Sequence, residues 1–364
     1  MEIGAAEVME RWERELALLP RRAQIRLMRR LAQAAVAGYD LPPVRLTLMV
    51  HRFNTTFRVD TADGERYVLR IHRAGTPTVE TVGSELEWLA AITRDTTLEV
   101  PVPIAIRSGS LLTVAEVRGV VAPHICVLFR WLPGKQIRRG LTPGHMERVG
   151  ELMARLENHG AQWQRPQGFV RGRVGYPVKS AQWEDDPLAP HVLADIHALV
   201  AESLSEAEAA EVTSILEGVR AVEEELGKGL EVFGLLHADL HYFNLLFGGG
   251  VVRAIDFDDC GFGYVLYDFA VMLNELLDRV DYAELRAGLL AGYRRVRALS
   301  AEREACIDSF IALRQVQDAL WVLEERTHTT IGDDWATDVR TRLARLAAWQ
   351  SRTLDSAGVA SKVP

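Results

Sequence analysis

The chain has 364 residues and a formal net charge of -8, a length that suits two domains or two lobes of one enzyme and an acidic balance that argues against a mainly electrostatic nucleic-acid partner. Cys126, Cys260 and Cys306 are too few and too scattered for a disulfide framework or paired zinc ligands, which fits a reducing cytoplasm. The N-terminus has no secretory pattern and no run of about 18 apolar residues occurs, so neither export nor a membrane span is expected.

In chain order, apolar residues recur at helical spacing from Ala5 to Leu19 and from Gln24 to Ala37, with a break near Pro20. We read residues 1–43 as a helical extension. After Pro42-Pro43 the period falls to two through Leu46, Leu48 and Val50 and through Phe57 and Val59. A turn at Ala62-Asp63-Gly64 leads to Tyr67, Leu69 and Ile71, which is a hairpin pattern. A helix over Val79–Thr93 and strands near Leu111–Val117 and Ile125–Phe129 complete a small lobe, 44–130. The rest, 131–364, reads mostly as helix: Pro143–Gly160, Leu188–Ala201, Glu206–Leu226, Asp268–Leu277, Tyr282–Val296, Ala301–Glu325 and Trp335–Asp355. The apolar run Val232–Leu236 and a hairpin turning at Gly248-Gly249-Gly250 interrupt it. The fold class expected is α+β, a small antiparallel sheet followed by a larger helical lobe.

The chemistry concentrates in His237-Ala238-Asp239-Leu240-His241-Tyr242-Phe243-Asn244, followed after one hairpin by Ala254-Ile255-Asp256-Phe257-Asp258-Asp259. Phosphoryl transfer needs a carboxylate to orient and deprotonate the acceptor hydroxyl, and oxygen ligands for the magnesium ions that neutralise the phosphates. Asp239 suits the base, and Asn244, five residues on, and Asp256, after the next strand, suit the metal.

This run resembles the signature of the aminoglycoside phosphotransferase-like kinases, a group that includes choline kinases, a class of homoserine kinases and a stress-response Ser/Thr kinase. The likeness covers about Leu46 to Asp268. It implies a protein-kinase-like bilobal fold, ATP and Mg2+ as cofactors, and a hydroxyl-bearing small molecule as acceptor. A protein serine and a nucleotide-holding pseudokinase stay open as alternatives. By resemblance Arg70 takes the strand position where most kinases place a lysine, as in choline-kinase-like members. Its cation would hold the α and β phosphates, with Glu85, or in competition Glu87, as ion-pair partner. The phosphate loop has no glycine. Asn54, Thr55 and Thr56 stand there as donors, or as a plain polar turn. Adenine would lie against Phe129, Trp131 and Leu132.

His237 is expected to brace the loop and Asp268 to cap or brace, while His241 and Asp258 are auxiliary candidates. Asp258, Asp259, Glu275 and Asp318 make the acceptor surroundings acidic, which tilts the reading toward an amino- or ammonium-bearing acceptor. His237, Asp239 and His241 also spell H-x-D-x-H, a metallohydrolase pattern that leaves Asn244 and Asp256 without a role. A homo-oligomer is admissible and the sequence assigns none.

Overall fold

In a computed structural model, residues 12, 15, 16, 18–75, 77–174, 190–326 and 334–360 are described, without side chains at 190 and 350–360. The chain divides into two compact units, one built mainly on residues 1–133 and the other mainly on 134–163 and 171–327. Most of the expected Ala5–Leu19 helix lies outside the described residues.

The first unit holds a five-stranded antiparallel sheet in the order β1-β2-β3-β5-β4. Its strands are β1 (Val44–His51), β2 (Thr55–Thr61), β3 (Arg66–Ile71), β4 (Thr113–Ala115) and β5 (His124–Arg130). In β2, Thr55, Phe57, Val59 and Thr61 are buried and the residues between them are not, as period-two patterning requires. Helix α1 (Arg21–Val36) turns Met28, Leu31, Ala32 and Ala35 toward this face. There they share one core with Phe57, Val59, Leu69, Ile71 and Leu128. Helix α2 (Val79–Asp95) starts on a Thr78–Thr81 capping box and buries Glu85 among Val82, Leu86 and Leu89.

The second unit is helical around two short two-stranded sheets. Helices α3 (Pro143–Gln162) and α7 (Tyr282–Arg294) approach so closely that a Cβ on Gly292 would stand 1.8 Å from the Glu147 carbonyl oxygen, and one on Gly150 2.1 Å from that of Leu289. The other helices are α4 (Pro190–Ser203), α5 (Glu206–Leu226), α6 (Leu266–Asn274), α8 (Ala301–Ala305), α9 (Ile307–Glu324) and α10 (Trp335–Ala360). The single helix expected over Ala301–Glu325 is broken at Cys306.

Strands β7 (Leu245–Gly248) and β8 (Val251–Ala254) form the hairpin turning at Gly249-Gly250, both of which have positive φ. The apolar run near 232 is β6 (Phe233–Leu236), and it pairs with a strand the sequence did not announce, β9 (Gly261–Tyr264). Glycine depresses strand propensity, yet at Gly261 and Gly263 it is required. A Cβ there would lie 2.6 Å from the Gly172 carbonyl oxygen and 2.0 Å from a Val174 methyl.

Candidate active site

The catalytic-loop candidates lie in the second unit, between β6 and the β7–β8 hairpin. Among the described residues, Ala238 (φ 66°) and Asp256 (φ 65°) are the non-glycine residues with positive φ. A side chain in that region costs of order 1–2 kcal/mol and persists only where surrounding bonds fix it. Asp268 supplies such bonds: its Oδ1 accepts the Ala238 N–H at 2.8 Å and its Oδ2 accepts that of His237 at 3.3 Å. Burial pushes the Asp268 carboxyl up to about 7, against those two hydrogen bonds, which lower it.

His237 is fully buried and burial drops its pKa to about 4. The neutral ring receives the Asp239 N–H on Nδ1 at 3.3 Å and donates from Nε2 to the Ile255 carbonyl at 3.1 Å. The histidine thus ties the loop to the end of β8, beside Asp256.

Asp239 uses its two carboxylate oxygens differently. Oδ2 accepts Asn244 Nδ2 at 2.8 Å and His241 Nε2 at 3.2 Å, whereas Oδ1 lies 3.4 Å from Arg314 Nη2. Burial acts to raise its pKa, but the His241 hydrogen bond and the charges of His241 and Arg314 outweigh it and hold the carboxyl below its ordinary range. The His241 tautomer follows from the backbone: Nδ1 accepts the Phe243 N–H at 3.2 Å, so the proton sits on Nε2 and points at Asp239.

Asn244, in the 3-10 turn Tyr242–Asn244, is buried, and its Nδ2 donates both to Asp239 Oδ2 and to the Asp239 carbonyl at 2.9 Å. With both amide protons committed, its Oδ1 is fixed as a free-facing hard oxygen. The carboxylate of Asp256, exposed to solvent, is a second hard-oxygen donor group. Two hard oxygens beside an ionised carboxylate are a donor set that suits Mg2+ rather than zinc. Asp259, exposed to solvent, extends this acidic segment beside Asp256 and Asp258. The backbone carbonyls of Asp258 and Cys260 both accept from Arg171, which pins this acidic segment.

In the first unit, the expected pair forms. Arg70 Nη2 stands 2.5 Å from Glu85 Oε2, with side chains 7% and 1% exposed, and the guanidinium lies over the Phe129 ring at 5.1 Å. At the glycine-free turn, Gln24 Nε2 donates to the Leu19 carbonyl, so its Oε1 accepts from His51 Nε2 at 3.0 Å. His51 Nδ1 must then accept from the Thr55 hydroxyl at 2.8 Å, which leaves that hydroxyl no proton for a phosphate. Asn54, in the turn, and Thr56, which with Thr55 belongs to β2 rather than to the expected turn, are half-buried. The N–H groups of Arg130 and Trp131 are spent on the Val102 and Arg66 carbonyls, so of the expected adenine strand Leu132 is the amide left to consider. Trp131 and Leu132 are half-buried.

Arg314, on α9, was not anticipated. It binds three groups at once: Asp239 through Nη2, Asp318 Oδ1 through Nε at 3.1 Å, and the Tyr267 hydroxyl through Nη1 at 3.2 Å. Asn274 at the end of α6 donates Nδ2 to Asp318 Oδ2 at 3.0 Å. One signal could have found this cluster: Arg314, Gln315, Gln317 and Asp318 crowd polar groups into a helix otherwise rich in Ile, Leu, Val and Ala.

A model of the phosphotransferase enzyme family matches residues 52–305. Homoserine kinase of Mesorhizobium japonicum (strain LMG 29417 / CECT 9101 / MAFF 303099) is 28% identical over 57% of this chain, and the match spans 58% of that protein's length. Homoserine kinase of Pseudomonas aeruginosa (strain UCBPP-PA14) is 30% identical over 77% of this chain and 84% of its own. The microcompartment-associated aminopropanol kinase superposes with a TM-score of 0.74 and 30% identity, covering 90% of this chain and 98% of that one. The five-stranded antiparallel sheet with its helical companion is the kinase-like α+β fold expected from the sequence. The match over residues 52–305 places the chain in the phosphotransferase enzyme family.

Proposed function

We propose that the protein transfers the γ-phosphoryl group of Mg·ATP to the hydroxyl of a small amino alcohol. The observation that carries this is the asymmetry of Asp239: Oδ2 is pinned by Asn244 at 2.8 Å and His241 at 3.2 Å, whereas Oδ1 has the longer 3.4 Å contact to Arg314 and is the oxygen we assign to the acceptor hydroxyl. The homoserine and aminopropanol kinases among the relatives support the acceptor class by their names.

In this reading Asp239 Oδ1 accepts the hydroxyl proton as the acceptor oxygen bonds to the γ phosphorus. The bond from phosphorus to the β,γ-bridging oxygen breaks, and ADP departs with the electron pair. His241 holds Asp239 in register, and Asp268 and His237 fix the loop that carries it. Arg70, kept in place by Glu85, would neutralise the α and β phosphates, with Asn54, Thr56 and the strand Phe129 to Leu132 receiving the rest of the nucleotide. Asn244 Oδ1 and Asp256 would hold magnesium, which when bound offsets phosphate charge and orients the transferred group. Asp258 stays an auxiliary group of the same acidic segment.

The test is acceptor-stimulated ADP release with a panel of amino alcohols. Asp239→Asn should lose about 100-fold or more in kcat while a nucleotide-induced thermal shift persists. An Asp239→Asn enzyme of undiminished turnover would end this reading.

A further inference from the structure

We infer that Asp318 is the anchor for the ammonium group of the acceptor, a recognition subsite separated from Asp239 by a single guanidinium; this rests on the amino-alcohol reading above. Asp318 is held from two sides, Oδ1 by Arg314 Nε at 3.1 Å and Oδ2 by Asn274 Nδ2 at 3.0 Å. A carboxylate oxygen has two lone-pair directions, so each keeps one for a further donor, and the side chain is 20% exposed.

Arg314 sets the spacing. The same planar group reaches Asp239 Oδ1 through Nη2, and its remaining Nη1 is tied to Tyr267. With all three nitrogens engaged, the guanidinium works as a rigid spacer between the carboxylate that receives the hydroxyl proton and the one that receives the cation. Two oxygens separated by one guanidinium and its hydrogen bonds suit a hydroxyl and an ammonium a few bonds apart, and not a bulky polycation.

Asn274 strengthens the case from the other side. A carboxylate accepts, so the amide nitrogen faces Asp318 and Oδ1 faces away. That oxygen is buried and has no hydrogen-bond partner among the described residues. An unanswered buried carbonyl beside a carboxylate leaves a negative field that a cation lowers. The subsite therefore selects for positive charge.

The decisive comparison is 1-amino-2-propanol against 1,2-propanediol, which replaces the amine by a hydroxyl at equal size. Wild-type enzyme should prefer the amine at least 100-fold in kcat/KM. Asp318→Asn should lower that preference at least tenfold through KM, with the diol little affected. Asp318→Glu, which restores the charge, should recover part of it. Equal use of both acceptors by the wild type, or an Asp318→Asn loss of the same size for both, overturns the assignment. Turnover of neither by a protein that binds Mg·ATP also counts against it, whereas failure to bind Mg·ATP at all sinks the broader proposal. A melting temperature for Asp318→Asn close to wild type separates recognition from folding.

Discussion

Arg70 and Glu85 illustrate how a single pair can be read in a sequence and what it costs to break. Both side chains are nearly out of water at 2.5 Å separation, so removing one partner strands a charge in a low-dielectric place. Glu85→Ala should lower unfolding free energy by about 3 kcal/mol in chemical denaturation. The pair was legible through the resemblance to kinases, which put a cation at Arg70 and its partner at Glu85 or Glu87, and the structure pairs Arg70 with Glu85. Asp239 and Asn244 could be singled out by their five-residue spacing, and Asp256 by its place after the next strand. Arg314 was not: it reaches Asp239 from 75 residues away, and only folding creates that adjacency. Thr55 was legible as a turn residue but not as one whose hydroxyl proton is already committed, because that depends on a glutamine in another element.

Helices α3 and α7 show which elements the sequence conveyed and which it concealed. Both were read from apolar spacing, but their close approach depends on glycines that periodicity ignores. Gly292→Ala would drive a Cβ into backbone that cannot step aside, and should destabilise the protein by about 3 kcal/mol, seen as a lowered melting temperature at unchanged secondary structure. Strand β9 was concealed by the same residue type, since Gly261 and Gly263 look like turn residues until their close neighbours are known.

Glu157, buried on α3, accepts from the Tyr293 hydroxyl of α7 at 2.5 Å. Burial, and then the charge of Asp268, push its pKa well above the ordinary carboxyl value against the Tyr293 hydrogen bond and Arg297. A carboxyl raised on folding stabilises the fold fully below its unfolded pKa, and that contribution is lost as pH rises through the folded pKa. Glu157→Gln, neutral at every pH, should therefore lose less stability than wild type between acidic and neutral pH. A series of melting curves across that range would show the flatter slope.

At the scale of the whole molecule, the chain combines a sheet-bearing unit that holds the nucleotide-side candidates with a helical unit that holds the proposed base, metal oxygens and acceptor cluster. Among the described residues no helix is long and apolar enough to cross a membrane. A ligand that binds only the folded state adds about 2.7 kcal/mol at 100 times its Kd, so Mg·ATP should raise the melting midpoint by several degrees. Asp256→Asn should erase the magnesium-dependent part of that shift and leave the part produced by nucleotide alone.

The family match begins at Arg52, one position past His51, and helix α1 lies wholly before it. Yet Gln24 of that helix dictates which nitrogen of His51 carries hydrogen, and so where the threonine beyond it points. Helix α1 thus steadies a loop at the very start of the matched portion, and trimming the protein to residues 52–305 would release that loop from its anchor.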